Sequence, residues 1–101
     1  MQKKATIEGN IGVHFLKEGD MFVAYAPTLD LSTCGSSFEE ASDNFDEALD
    51  ILFEECSKNG TLESMLYSCG WTHEKKMKSL DWVPPQMIGT QMMPFKVRSL
   101  R

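Results

Sequence analysis

The chain has 101 residues, 42% of them apolar and ten aromatic, with fifteen Asp and Glu against ten Lys and Arg for a formal charge of -5. That length supports one domain around one core, and the composition excludes a disordered chain. No run of 18 uncharged apolar residues is present, so no segment reads as a membrane-spanning helix.

The opening MQKKATIEGNIGV lacks the apolar stretch of a secretory signal. Cys34, Cys56 and Cys69 are odd in number and form no CxxC pair. Together these features lead us to expect a reduced, cytoplasmic setting. Charge is unevenly spread: residues 1–58 hold twelve acidic and four basic side chains, residues 59–101 three acidic and six basic. An acidic front half repels phosphate and suits a basic protein partner.

From Ile11 to Phe15 apolar residues alternate with Gly12 and His14, the pattern of a half-buried strand. Gly19-Asp20 supplies a tight reversal, and Met21 to Ala26 resumes as the second strand of a hairpin. Pro27 ends that strand, and Leu29 to Thr33 forms a third before Gly35-Ser36-Ser37 turns the chain. Ser37-Phe38-Glu39-Glu40 has the spacing of a capping box, so a helix begins there. Phe38, Ala41, Phe45, Ala48, Leu49, Leu52, Phe53 and Cys56 then follow a 3.6-residue rhythm, closed by Asn59-Gly60. Glu40, Asp43, Glu47, Asp50 and Glu54 recur on the opposite face as an acidic stripe.

Thr61 caps a second, shorter helix with Leu62, Met65 and Leu66, and Gly70 closes it. Trp71 and its neighbours read as a fourth strand, whereas His73 to Lys78 is too charged for a core element. Pro84-Pro85 is a stiff break that divides residues 1–85 from a tail, 86–101. The order is β-β-β-α-α-β plus a tail, an α+β domain with the long helix laid on the sheet. Ile88, Met92, Phe95 and Val97 make the tail too apolar to float free, so it is expected to add to a sheet edge, its own or that of a second copy.

Enzyme chemistry finds little purchase. His14 falls on the outward side of a strand and His73 in a charged turn, and no sequence context marks either as a base, so both read as solvated surface residues. Cys34 before Gly35 is a candidate exposed thiol, while Cys56 and Cys69 read as near-core residues. No spacing suits zinc, and no glycine-rich loop suits a nucleotide, so no cofactor is expected. Lys75, Lys76, Lys78, Lys96, Arg98 and Arg101 could touch phosphates, yet the tail shows no pattern of a DNA-reading motif. Trp71 and Trp82 read as anchors of the segment to the domain.

The run Phe22-Val23-Ala24-Tyr25-Ala26-Pro27-Thr28-Leu29-Asp30, then Gly35, then Ser37-Phe38-Glu39-Glu40-Ala41 and a helix through Ala48, resembles the N-terminal domain of HicB-type antitoxins. The resemblance covers about residues 11–58, and Gly60 to Trp71 resembles an extension of shorter members. It implies a partial ribonuclease-H-like βββα(α)β fold whose strand after the helices pairs parallel to the first. It also implies a non-catalytic inhibitor that masks HicA, a small basic ribonuclease toxin. Many HicB proteins add a C-terminal DNA-binding domain, which residues 72–101 do not show. The expectation is a cytoplasmic, homo-oligomeric antitoxin or stand-alone relative that binds through Glu40, Asp43, Glu47, Asp50 and Glu54. A small oligomeric transcription regulator is the alternative reading. A metal-dependent nuclease on the same frame is a lesser one, with Asp30 its one strand carboxylate.

Overall fold

The computed structural model describes residues 9–76 and 79–98. Strands β1 (His14–Glu18) and β2 (Met21–Ala26) form an antiparallel hairpin with Glu18 opposite Met21. Gly19 occupies the first turn position at φ 60°, which a two-residue reversal of this hand requires and a side chain resists. Strand β3 (Leu31–Gly35) pairs antiparallel with β2, giving the order β1-β2-β3.

Both predicted strand starts are corrected. β1 begins three residues after Ile11, because Ile11 and Val13 pack against the core from an irregular lead-in. β3 begins two residues after Leu29, because a turn at Pro27 to Asp30 intervenes, with the Leu29 amide donating to the Ala26 carbonyl at 3.2 Å. That turn drops Leu29 into a second apolar cluster, where it is buried. Asp30 takes a left-handed φ of 50°, tolerable for Asp, and its Oδ1 accepts from the Tyr25 hydroxyl at 3.3 Å.

Helix α1 (Phe38–Lys58) starts as its capping box dictates. Ser37 Oγ accepts from the Glu40 amide at 3.1 Å, and the Glu40 carboxylate accepts from the Ser36 amide at 2.8 Å. It ends in paired reverse bonds, Thr61 N–H to Cys56 O at 2.8 Å and Gly60 N–H to Ser57 O at 3.3 Å, with Gly60 at φ 68°. The first cluster is Ala24, Ala26, Ala41 and Phe45. Three of these four are alanines, so helix and sheet approach closely. A side chain on Gly35 would place its Cβ 2.6 Å from the Ala41 nitrogen. Ala24 and Ala26 belong to the helix-facing side of β2, which leaves Met21, Val23 and Tyr25 on the side that α1 does not cover.

Helix α2 (Leu62–Ser68) closes the same way, with Trp71 N–H to Leu66 O at 3.0 Å and Gly70 at φ 87°. Leu66 and Trp71 are buried with Leu29 in the second cluster, and the Trp71 indole nitrogen donates to the Thr28 carbonyl at 2.7 Å. Leu49 borders both clusters, which joins the two packing regions.

Beyond Trp71 the architecture departs from expectation. β4 (Thr72–Lys76) pairs antiparallel with β5 (Ser79–Val83) in a separate two-stranded sheet, not parallel with β1. The charged run is therefore strand, not turn, from His73 to Lys76, and its last two residues lie outside the described ones. Charge did not forbid it, since a two-stranded ribbon satisfies its backbone without burying a continuous face. Residues 84–98 have no regular secondary structure, and Ile88 and Phe95 are 99% and 90% exposed, so residues 86–98 pair with no sheet edge of their own copy among the described residues. The molecule is α+β, measures 59 × 29 × 25 Å, and has a radius of gyration of 17.2 Å. A compact chain of this length has about 13 Å. Among the described residues no helix is long and apolar enough to cross a membrane.

Candidate partner interface

The five carboxylates expected to meet a partner lie on α1 and all are exposed. Steps of three and four residues from Glu40 to Glu54 hold them on one side of the helix, opposite Ala41, Phe45 and Leu49. At about 1.5 Å per residue the row runs roughly 21 Å along the surface. Two members carry other duties. Glu40 is the capping-box acceptor for Ser36, and Glu54 pairs with Lys58 at 3.2 Å across one turn. That ion pair is exposed, so it holds Glu54 only weakly. Asp43, Glu47 and Asp50 make no hydrogen bond or ion pair among the described residues and present a bare triad of acids to solvent.

Other residues singled out from sequence are dispersed. His14 is exposed on β1, and Cys34 is exposed on β3, while Cys56 and Cys69 are half-buried free thiols. Asp30 lies in the β2–β3 turn, not in a strand, and its carboxylate is engaged by Tyr25. Among the described residues no three His, Cys, Asp or Glu side chains gather in a form that could hold a metal ion. Partial burial, and then the charge and hydrogen bond of Asp30, push the Tyr25 hydroxyl above the usual tyrosine range.

Two features went unseen in the sequence. Tyr67, His73 and Trp82 form an aromatic cluster: His73 and Trp82 ring centroids lie 4.7 Å apart, Tyr67 and Trp82 5.1 Å apart. The Tyr67 hydroxyl also bonds His73 Nε2. Only the β4–β5 register sets His73 opposite Trp82, so no spacing in the chain announces the group. The second is an open groove of about 910 Å³ walled by Leu49, Phe53, Leu62, Leu66, Trp71 and Trp82. Gly9 to Ile11 line it too, and the residues before Gly9 lie outside the described part.

Lys96 and Arg98 are exposed on the tail, and Trp71 is only 7% exposed, which leaves it no face for stacking on a base. Side chains of Lys75, Lys76 and Lys78 fall outside the described ones. Compared with protein-family models, curated proteins and solved structures, the chain matches none.

Proposed function

We propose that this protein is a non-catalytic, HicB-like antitoxin or a stand-alone relative that works by covering a small basic ribonuclease toxin of the HicA type. The observation that carries the reading is the bare acidic triad, Asp43, Glu47 and Asp50, on the solvent side of a helix whose other side is sunk into the core. A row of fixed negative charges resembles what a ribonuclease's basic substrate surface is built to hold. Docking there would exclude RNA without chemistry on either side. The helix is capped at both ends and packed on the sheet, so the backbone that carries its charges is already ordered before binding, which lowers the entropic cost of association. On this reading the βββα part is the ribonuclease-H-like frame, and β4–β5 is a separate ribbon in place of the strand such a frame pairs with β1.

The test is association with a purified HicA-type toxin. The on-rate should fall steeply with added salt, because the encounter is steered by charge. The full-length variant Asp43→Asn, Glu47→Gln, Asp50→Asn keeps side-chain size and relieves repulsion along the helix, so it should fold as the parent does. It should bind at least about tenfold more slowly at low salt and lose most of the salt dependence. Equal on-rates for variant and parent would discard the acidic face as the site. Absence of binding by the parent to any such toxin would discard the antitoxin reading.

A further inference from the structure

We propose that two copies of this chain dimerise by exchanging tails, residues 92–98 of each adding as a strand to the free edge of β1 in the other. The need is written in the tail itself. Met87, Ile88, Met92, Met93, Phe95 and Val97 are between 60% and 99% exposed, a density of bare apolar side chains that a monomer seldom leaves in water. The sequence from Met93 to Arg98 alternates apolar Met93, Phe95 and Val97 with Pro94, Lys96 and Arg98, the period of a half-buried strand.

Pro94 then decides how that strand can pair. Successive residues of a strand direct their backbone groups to opposite edges, so Pro94, Lys96 and Arg98 share one edge and Met93, Phe95 and Val97 the other. Proline has no amide hydrogen and is tolerated only where its edge faces solvent. The tail must therefore bond through Met93, Phe95 and Val97 and become a new outermost strand.

β1 is the receptive partner. Among the described residues it is a terminal strand of its sheet, and all five of its residues are exposed. The other terminal strand, β3, is already engaged by α1, with Asn44 donating to the Cys34 carbonyl at 2.8 Å and Thr33 to the Ala41 carbonyl at 3.1 Å. Beside the β1 edge, Phe15 and Phe38 stack at 4.2 Å while remaining 37% and 52% exposed, a half-built apolar layer on the helix side of the sheet. Charge sets which way the incoming strand faces. Lys17 shares the helix side with Phe15, and its ammonium sits 5.6 Å over the Phe22 ring, whereas Glu18 falls on the other side. Met93, Phe95 and Val97 laid against Phe15 and Phe38 put Lys96 and Arg98 on the side of Glu18, away from Lys17. The long-range match agrees: fifteen acidic and seven basic side chains precede residue 86, and the tail adds three basic and no acidic ones.

A second copy is the occupant because the described tail packs on neither core cluster of its own chain. Pro84-Pro85 is a stiff hinge that separates it from them. A rigid hinge followed by an unsatisfied segment is the arrangement from which reciprocal exchange forms at little cost.

Light scattering on the full-length protein should give the mass of two chains. Phe95→Asp with Val97→Asp, positions outside both core clusters, should halve that mass while leaving the circular dichroism of the body unchanged. Amide exchange in the parent should be slow at Met93, Phe95 and Val97 and fast at Lys96 and Arg98. A monomeric parent overturns the proposal whether or not its tail amides are protected. So does a dimer that survives the double substitution, or one whose tail amides all exchange fast. None of these outcomes bears on toxin binding by α1, which uses another face.

Discussion

The two halves of this protein are held by different kinds of contact. In residues 9–58 the core is made of Ala24, Ala26, Ala41 and Phe45, where small side chains let a helix lie almost on the backbone of a sheet. In residues 59–83 the core is Leu66 and Trp71 reaching back to Leu29, one large ring fixed by a hydrogen bond to Thr28. The first half is a broad face and tolerates no added volume. The second is a smaller cluster closed by one ring, with Trp82 of β5 packed against it and the described residues beyond Pro85 outside it. That difference separates a helix held along its length from an exposed tail, for which we propose exchange with another copy.

The largest effect expected from breaking this arrangement is at Phe45. Phe45→Ala opens a cavity beneath α1 and should cost about 3–5 kcal/mol in chemical denaturation, unfolding the protein as a whole. Leu66→Ala should cost about 2–5 kcal/mol by the same mechanism, but amide exchange should show α2 opening while β2 and the middle of α1 stay protected. Equal loss of protection in both regions would mean that Leu49, which borders both clusters, couples them into one unit.

A smaller effect is expected at the anchor. Trp71→Phe keeps an aromatic ring and loses the indole donor, leaving the Thr28 carbonyl without it, so about 0.5–1.5 kcal/mol should be lost. A loss near that of Leu66→Ala would show that the size of the ring, not its hydrogen bond, does the anchoring.

The smallest concerns Tyr25. Its hydroxyl titrates higher in the fold than in the unfolded chain, so the unfolded state releases this proton first as pH rises. Stability should be unaffected below about pH 10 and fall above it. Tyr25→Phe should flatten that part of the profile in thermal melts taken from pH 8 to 11. An unchanged slope would assign the alkaline loss to other groups.

Where local chemistry decides structure, the sequence was legible. Ser37 and Glu40 announce the start of α1, Gly60 and Gly70 its end and that of α2, and Gly19 the first reversal, because a cap or a left-handed φ is met within a few residues of chain. The acidic row was readable for the same reason, since helical spacing alone places it opposite the apolar face. Its division into a capping residue, an ion-paired one and a bare triad was not, for that needed the positions of Ser36 and Lys58. Tertiary structure alone decided which side of β2 meets the helix, whether Leu29 belongs to a strand or to the second cluster, and that β4 takes β5 as its partner in place of β1. In each case two arrangements satisfy the same hydrophobic pattern, and the choice falls to contacts between residues far apart in the chain, such as Trp71 with Thr28, which periodicity does not encode.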